Sequence, residues 1–141
     1  MRGFVLPYAD LALLFMRLLV AFVFGYSGWM HTSQLEERSK SIGMNKPFTA
    51  FLGLAELAGA LGLATGVLAR WAALGLILIM FGAIYRKAVV WKTGFWGKGS
   101  QGWHYDLLFV AMNFVILTAG PGSLVIPLFS QPVVFLAGSL L

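Results

Sequence analysis

The sequence predicts an all-α integral membrane protein, a four-helix bundle followed by an apolar C-terminal tail. Hydrophobic residues make up 60% of its 141 positions and charged residues only 11%, whereas soluble domains contain roughly 45–50% apolar and about 25% charged residues. The apolar residues gather into long stretches separated by short polar segments. Because a chain of this length cannot bury so much apolar surface in water, its composition indicates a bilayer as the solvent.

The first predicted span covers residues 11–30. At 1.5 Å per residue, about 20 helical residues cross a hydrocarbon core of about 30 Å. Asp10 precedes the span, where its carboxylate is expected to cap the helix. Arg17 is the only charged residue within it. The stretch is too long for the apolar region of a signal peptide and lacks a clear cleavage site, so we expect it to be retained.

The second predicted span covers residues 48–69 and is interrupted only by Glu56. Pro47 suits the first turn of this helix, where a missing amide costs little. Small residues recur along it four positions apart, such as Gly62 and Gly66. This spacing predicts a smooth face that allows a neighbouring helix to approach closely.

The third and fourth predicted spans cover residues 71–91 and 104–119. A Gly-Pro-Gly sequence ends the fourth span. The remaining tail, residues 124–141, is apolar and uncharged, but Pro127 and Pro132 disfavour a straight helix there. We expect this tail to lie at the membrane surface or against a partner subunit, and a fifth span is the alternative.

The net charge of +5 is distributed between the apolar stretches rather than along an exposed stripe. This argues against a nucleic-acid partner. Loops one and three carry seven of the basic residues, so the positive-inside rule places both loops in the cytoplasm and both chain ends outside. These residues are Arg38, Lys40, Lys46, Arg86, Lys87, Lys92 and Lys98. The chain has no cysteine and no metal-binding motif, which excludes thiolate catalysis and Cys-based metal sites within it.

Polar and aromatic residues concentrate near one predicted membrane surface. In a bundle with an even number of spans, His31 at the end of the first span and His104 at the start of the fourth lie on the same side. Trp29, Tyr105 and Asp106 are expected beside them. An aromatic belt at head-group depth is the alternative interpretation of the aromatic residues, but it does not explain two histidines and an acid.

Three polar residues are predicted to lie deeper in the bundle. Glu56 and Asn113 are expected about 12 Å below that surface, and Arg17 about 20 Å below His31. An unpaired charge at such depth costs about 2.5–3.5 kcal/mol on insertion scales, so we expect Arg17 to pair with Glu56. The pair either fixes helix register or lines a polar cavity in which Glu56 handles protons.

The chain resembles the DoxX family of small four-helix membrane proteins from about Leu14 to Leu124. The strongest segment, GLAELAGALGLATGVLARWAA (residues 53–73), is similar to that family's Glu-containing second helix and the turn that follows. The run from Arg17 to Gly28 resembles its first helix, and GPGSL (residues 120–124) resembles its closing motif. The family often has Lys at the position of His31 and an Asp in the closing motif, and this chain lacks both.

This resemblance implies a prokaryotic inner-membrane protein linked to quinone and thiosulfate or thiol redox chemistry. The first hypothesis is therefore a quinone-linked oxidoreductase, since quinone reduction takes up protons as well as electrons. A non-catalytic subunit of a larger membrane complex is the alternative, with membrane lipid and protein partners or further copies of the chain around it. A third hypothesis is a haem held between His31 and His104. The candidate catalytic residues are Glu56, Arg17, His104 and Asp106, and the candidate cofactor-binding residues are Trp29, His31, Asn113, Tyr105 and Arg70.

Overall fold

A computed structural model describes residues 8–97 and 102–125 of the protein. Within these ranges the chain forms five α-helices, and the fourth continues into one π-helical turn. The helices are α1 (Ala9–Ser33), α2 (Leu35–Ile42), α3 (Lys46–Thr65), α4 (Ala69–Tyr85, with the π turn Arg86–Val90) and α5 (His104–Ala119). The predicted all-α membrane fold is therefore confirmed. The predicted apolar tail covers residues 124–141. Apart from Leu124 and Val125, this tail and its fifth-span alternative lie outside the described residues.

Three of the helices are long and apolar enough to cross a membrane. They are α1, α3 and α4 together with its π turn. The apolar helix α5 has 16 residues, which corresponds to about 24 Å of helix against a hydrocarbon core of about 30 Å. Large apolar side chains, including Phe15, Phe22, Leu54 and Leu78, cover the outer surface of the bundle. The outer surface of the bundle is thus apolar and suited to contact with lipid.

The long helices of the bundle pack mainly against the long helices next to them in the chain. Helix α1 packs along α3, α3 against α4, and α4 against α5, whereas α1 and α5 touch more sparingly. The edge-to-face contact between Phe24 and Phe109, with ring centroids 5.4 Å apart, joins α1 to α5. Fully buried Val20, Leu63 and Ile116 lie in the same core. The short helix α2 covers the ends of α1 and α3.

Glycines allow the closest helix crossing, between α1 and α3. A Cβ added to Gly28 would lie 2.7 Å from the carbonyl oxygen of Gly53, and one added to Gly53 would lie 2.9 Å from that of Gly28. On the opposite side of α3, a Cβ at Gly59 or Gly62 would meet side chains of α4 at 2.8–2.9 Å. The predicted close approach to the small-residue face of α3 is confirmed at these two positions.

The first loop and the start of α1 differ from the prediction. The polar segment after the first span is helical, because α1 continues to Ser33 and α2 follows almost at once. Helix α3 begins at Lys46, where the Asn45 side chain accepts a hydrogen bond from the Phe48 amide (2.9 Å). Asp10 does not cap α1, since it lies inside the first turn and accepts hydrogen bonds from the Ser123 amide (3.1 Å) and hydroxyl (2.6 Å).

Gly28→Ala is expected to destabilise the bundle by about 1–3 kcal/mol, because the added methyl overpacks the α1–α3 crossing and separates the two backbones. Gly75→Ala is the matched control, since a Cβ at Gly75 meets nothing within 4 Å. Thermal unfolding of both variants in detergent micelles measures the difference. Equal melting temperatures for the two variants would show that the crossing tolerates a side chain.

Candidate functional site

A buried His–Glu pair joins α1 to α3. His31 Nδ1 lies 2.9 Å from Glu56 Oε2, and the two residues are 9% and 3% exposed. The Ser27 hydroxyl, one turn earlier on α1, lies 3.3 Å from the same nitrogen. Gly53 makes room for the imidazole, because a Cβ there would approach His31 Cβ to 2.9 Å. The end of the bundle that contains this pair is called the His31 end below.

The pair can hold a proton in two arrangements. Either His31 Nδ1–H donates to the Glu56 carboxylate, or a protonated Glu56 donates to the bare Nδ1. When the pair as a whole is neutral, His31 Nε2 carries a proton in both arrangements. Loss of that proton leaves a net negative charge and turns Nε2 into an acceptor. Nε2 is therefore the position at which the pair can release and recover one proton.

Arg17 does not pair with Glu56, and the predicted ion pair is wrong. Its guanidinium is 1% exposed and lies toward the opposite end of the bundle, called the Arg17 end. Nε donates to the Leu63 carbonyl (2.8 Å), Nη2 to the Ala64 carbonyl (3.4 Å), and Nη1 to the carbonyls of Pro121 and Leu124 (3.0 Å for the latter). The physical reason is that the carbonyls in the last turn of α3 lie within reach of Arg17. They have no partner within the helix and therefore attract a cation.

A second buried ion pair ties the π turn to α5. Lys87 Nζ lies 2.7 Å from Asp106 Oδ2, and the two side chains are 12% and 6% exposed. The π turn closes through a hydrogen bond from the Trp91 amide to the Arg86 carbonyl (2.8 Å). Asp106 was a predicted site residue, whereas Lys87 was assigned only to the loop charges. The sequence feature that indicates this pair is a lysine at the end of one apolar stretch and an acid at the start of the next.

Asn113 lies in the core. It is on the same face of α5 as Asp106 but two turns deeper in the bundle. It is fully buried, and its Nδ2 donates to the Phe109 carbonyl one turn earlier (2.9 Å). Its Oδ1 is buried without a hydrogen-bond partner among the described residues. An unsatisfied buried acceptor costs about 1–3 kcal/mol, so this oxygen is suited to receive a donor from a water molecule or a ligand.

The other predicted site residues are not joined to the His31–Glu56 pair by hydrogen bonds within the described residues. His104 Nδ1 donates to the Phe95 carbonyl (2.8 Å), which leaves Nε2 as the acceptor of a neutral ring. The Tyr105 ring packs edge-to-face on Phe109, and Trp29 is 63% exposed on the outer face of α1. The Arg70 guanidinium lies at the Arg17 end, against Gly120. Of the predicted residues, the structure therefore joins only His31 and Glu56 directly.

Asp106→Asn is expected to destabilise the fold by about 3–5 kcal/mol, because it leaves the Lys87 ammonium buried without an anion. Glu36→Gln is the control, since the Glu36–Lys40 pair (3.1 Å) is exposed and such pairs contribute at most about 1 kcal/mol. Unfolding in mixed micelles measures both effects. The double variant Lys87→Met/Asp106→Leu should recover most of the loss, and an Asp106→Asn protein as stable as Glu36→Gln would contradict the prediction.

The chain matches the model of a known protein family. The DoxX-like family matches residues 15–99, a range that runs from the first turns of α1 through α4 and its π turn. It includes His31, Glu56 and Lys87. No curated protein and no solved structure matches the chain. Since the matched range is more than half of the sequence, and three helices are long and apolar enough to cross a membrane, the chain belongs to the DoxX-like family and is a multi-pass membrane protein.

Proposed function

We propose that this protein takes part in quinone-linked redox chemistry in a prokaryotic cytoplasmic membrane, and that its His31–Glu56 pair exchanges protons at the quinone site. The observation that carries the proposal is the pair itself, a 2.9 Å contact between an imidazole and a carboxyl group inside an apolar bundle. Ionisable residues at such depth are costly, and they are functional candidates for that reason.

Two buried polar groups of the bundle, one on α1 and one on α5, have the hydrogen-bonding capacity that a quinone and a quinol require. Quinone carbonyls accept hydrogen bonds, and the neutral His31–Glu56 pair offers an N–H donor at Nε2. Asn113 Oδ1, buried without a partner among the described residues, is an acceptor of the kind that a quinol hydroxyl requires. When bound, a quinone accepts two electrons and two protons to become a quinol, and two thiosulfate ions that couple to tetrathionate release those two electrons.

The chain's own contribution is proton handling rather than electron transfer. His31 gives up the proton at Nε2, and the proton shared by Nδ1 and Glu56 Oε2 then holds the imidazole in position. The Ser27 hydroxyl, 3.3 Å from Nδ1, supports the same ring orientation. The Lys/Arg distribution of the loops supports a cytoplasmic location for the His31 end, so replacement protons would come from that side.

A non-catalytic subunit is the second candidate, and one observation favours it. His31 with Glu56, Lys87 with Asp106, and Arg17 with four backbone carbonyls are each satisfied within the chain. The hydrogen bonds of these buried charged groups are therefore made without a ligand, and the same contacts would serve a structural role. Partner subunits of a membrane complex, or further copies of the chain, would then cover its outer aromatic side chains.

A haem between His31 and His104 is the remaining hypothesis. Both rings use Nδ1 for a hydrogen bond within the chain, which leaves Nε2 as the iron ligand, the common arrangement for ligating histidines. An absorbance scan of the purified protein tests this hypothesis, because a bis-histidine haem gives a Soret band. A colourless preparation excludes it.

Glu56→Gln is expected to lower thiosulfate-dependent quinone reduction in membranes roughly 100-fold, because removal of a group that moves protons typically costs 10²–10⁴ in rate. The reduction is followed by the loss of quinone absorbance, and bound quinone is measured by lipid extraction and mass spectrometry. Glu36→Gln, on the exposed face of α2, is the matched control and should retain full activity.

The melting temperature of Glu56→Gln in micelles distinguishes a chemical loss from unfolding. A folded Glu56→Gln protein with unchanged quinone content and unchanged reduction rate would contradict the proposal. Stoichiometric co-purification of partner proteins, with neither quinone nor activity in the isolated chain, would support the subunit candidate instead.

A further inference from the structure

Arg70 lies at the Arg17 end, away from the His31–Glu56 pair, and has no ionic partner within the part of the chain that the structure describes. Arg70 is the second residue of α4 and is partly buried. Its guanidinium packs against Gly120, where an added Cβ would lie 3.2 Å from Nη2 and 3.3 Å from Nε. Among residues 8–97 and 102–125, Arg70 forms no ion pair and donates no side-chain hydrogen bond.

No acidic side chain of the protein forms an ion pair with Arg70. The sequence contains only five Asp and Glu residues, and all five are described. Four of them already have hydrogen-bond or ionic partners, and the fifth, Glu37, is exposed on α2 at the His31 end. The four engaged pairs are Asp10 with Ser123, Glu36 with Lys40, Glu56 with His31, and Asp106 with Lys87.

Arg17 adds to the positive potential around Arg70, and the Asp10 carboxylate beside Gly122 offsets part of it. Arg17 reaches the Pro121 carbonyl, one residue beyond the glycine on which Arg70 lies. All four acceptors of Arg17 are neutral carbonyls, and the C-terminal dipole of α3 offsets only about half of an elementary charge. The first turn of α4 also lacks a side-chain cap, because Leu68 occupies the N-cap position.

We propose that Arg70 and the turn at Gly120 form an oxyanion-binding site, for the phosphate of an anionic lipid head group or for a small dissolved oxyanion. Guanidinium is always charged in proteins and binds phosphate or sulfate oxygens through two parallel N–H bonds. The absence of a side chain at Gly120 lets the backbone of this turn lie close to the guanidinium. Exposed Trp71, the next residue, is of the type found at head-group depth in membrane proteins. This site is independent of the proposed quinone chemistry.

Native mass spectrometry of the full chain released from nanodiscs tests the lipid source. The nanodiscs contain equal amounts of phosphatidylcholine and phosphatidylglycerol. Wild-type protein is expected to retain phosphatidylglycerol in preference to phosphatidylcholine. In Arg70→Gln the ratio of the two retained lipids is expected to fall roughly tenfold, because a charge-assisted hydrogen bond is lost. Arg38→Gln, on α2 at the other end of the bundle, is the matched control and should behave as wild type.

A second arm tests the dissolved source. Lipid-free protein in maltoside detergent is titrated with sodium sulfate at constant ionic strength, and the melting temperature is followed. A saturable rise in wild type that is absent in Arg70→Gln supports a site for small oxyanions. Where Arg70→Gln does not fold, Arg70→Lys keeps the charge without the two-pronged geometry and should weaken either response several-fold.

Two results would overturn the site. One is equal phosphatidylglycerol retention by wild type and the Arg70 variant together with no saturable sulfate response. The other is an equal loss of retention in Arg38→Gln, which would show a general effect of net charge.

Discussion

The close contact between α1 and α3 is the constraint on which the buried His–Glu pair depends. The two backbones approach through Gly28 and Gly53, where a Cβ on either residue would collide with the other's carbonyl oxygen at 2.7–2.9 Å. Only at this separation do the short carboxyl side chain of Glu56 and the imidazole of His31 meet at 2.9 Å. A hydrogen bond weakens steeply with distance and angle, so a displacement of about 1 Å between the helices would break it. Packing and chemistry are thus coupled at one crossing.

Polar contacts close the bundle where helix packing is sparse. In lipid there is no hydrophobic driving force between helices, and association rests on close packing and hydrogen bonds. Helices α1 and α5 touch little, but Arg17 of α1 holds the chain after α5 through the Pro121 and Leu124 carbonyls. Lys87 holds the start of α5 through Asp106. Loss of Asp106 would leave the Lys87 ammonium buried without an anion, and loss of Arg17 would leave the Pro121 and Leu124 carbonyls without this donor. Both contacts therefore favour one arrangement of the helices.

Composition and patterning predicted the membrane fold, because apolar stretches of this length have few alternatives. Helix α5 even has the bounds expected for the fourth span. The ionic partners were harder to predict, since they depend on how far each helix extends beyond its neighbour. Gly53, which contacts His31, lies seven residues, or about 10 Å, beyond the start of α3. The side chain of His31 therefore reaches Glu56 instead of lying closer to the membrane surface. Arg17 is too far from Glu56 to pair with it and binds the carbonyls at the other end of α3. The roles of these residues remain predictions.

The two ends of the bundle differ in the chemistry that they can support. Proton exchange needs an acid and a base in contact, and the His31 end contains both the His31–Glu56 and the Lys87–Asp106 pairs. The Arg17 end has two guanidinium groups, and its one acid, Asp10, is engaged by Ser123. Arg17 and His31 are fourteen residues apart on one helix, or about 21 Å. An anion bound beside Arg70 is consequently too far from His31 to react with a ligand there, so it would act on stability or lipid contact rather than on the proton chemistry.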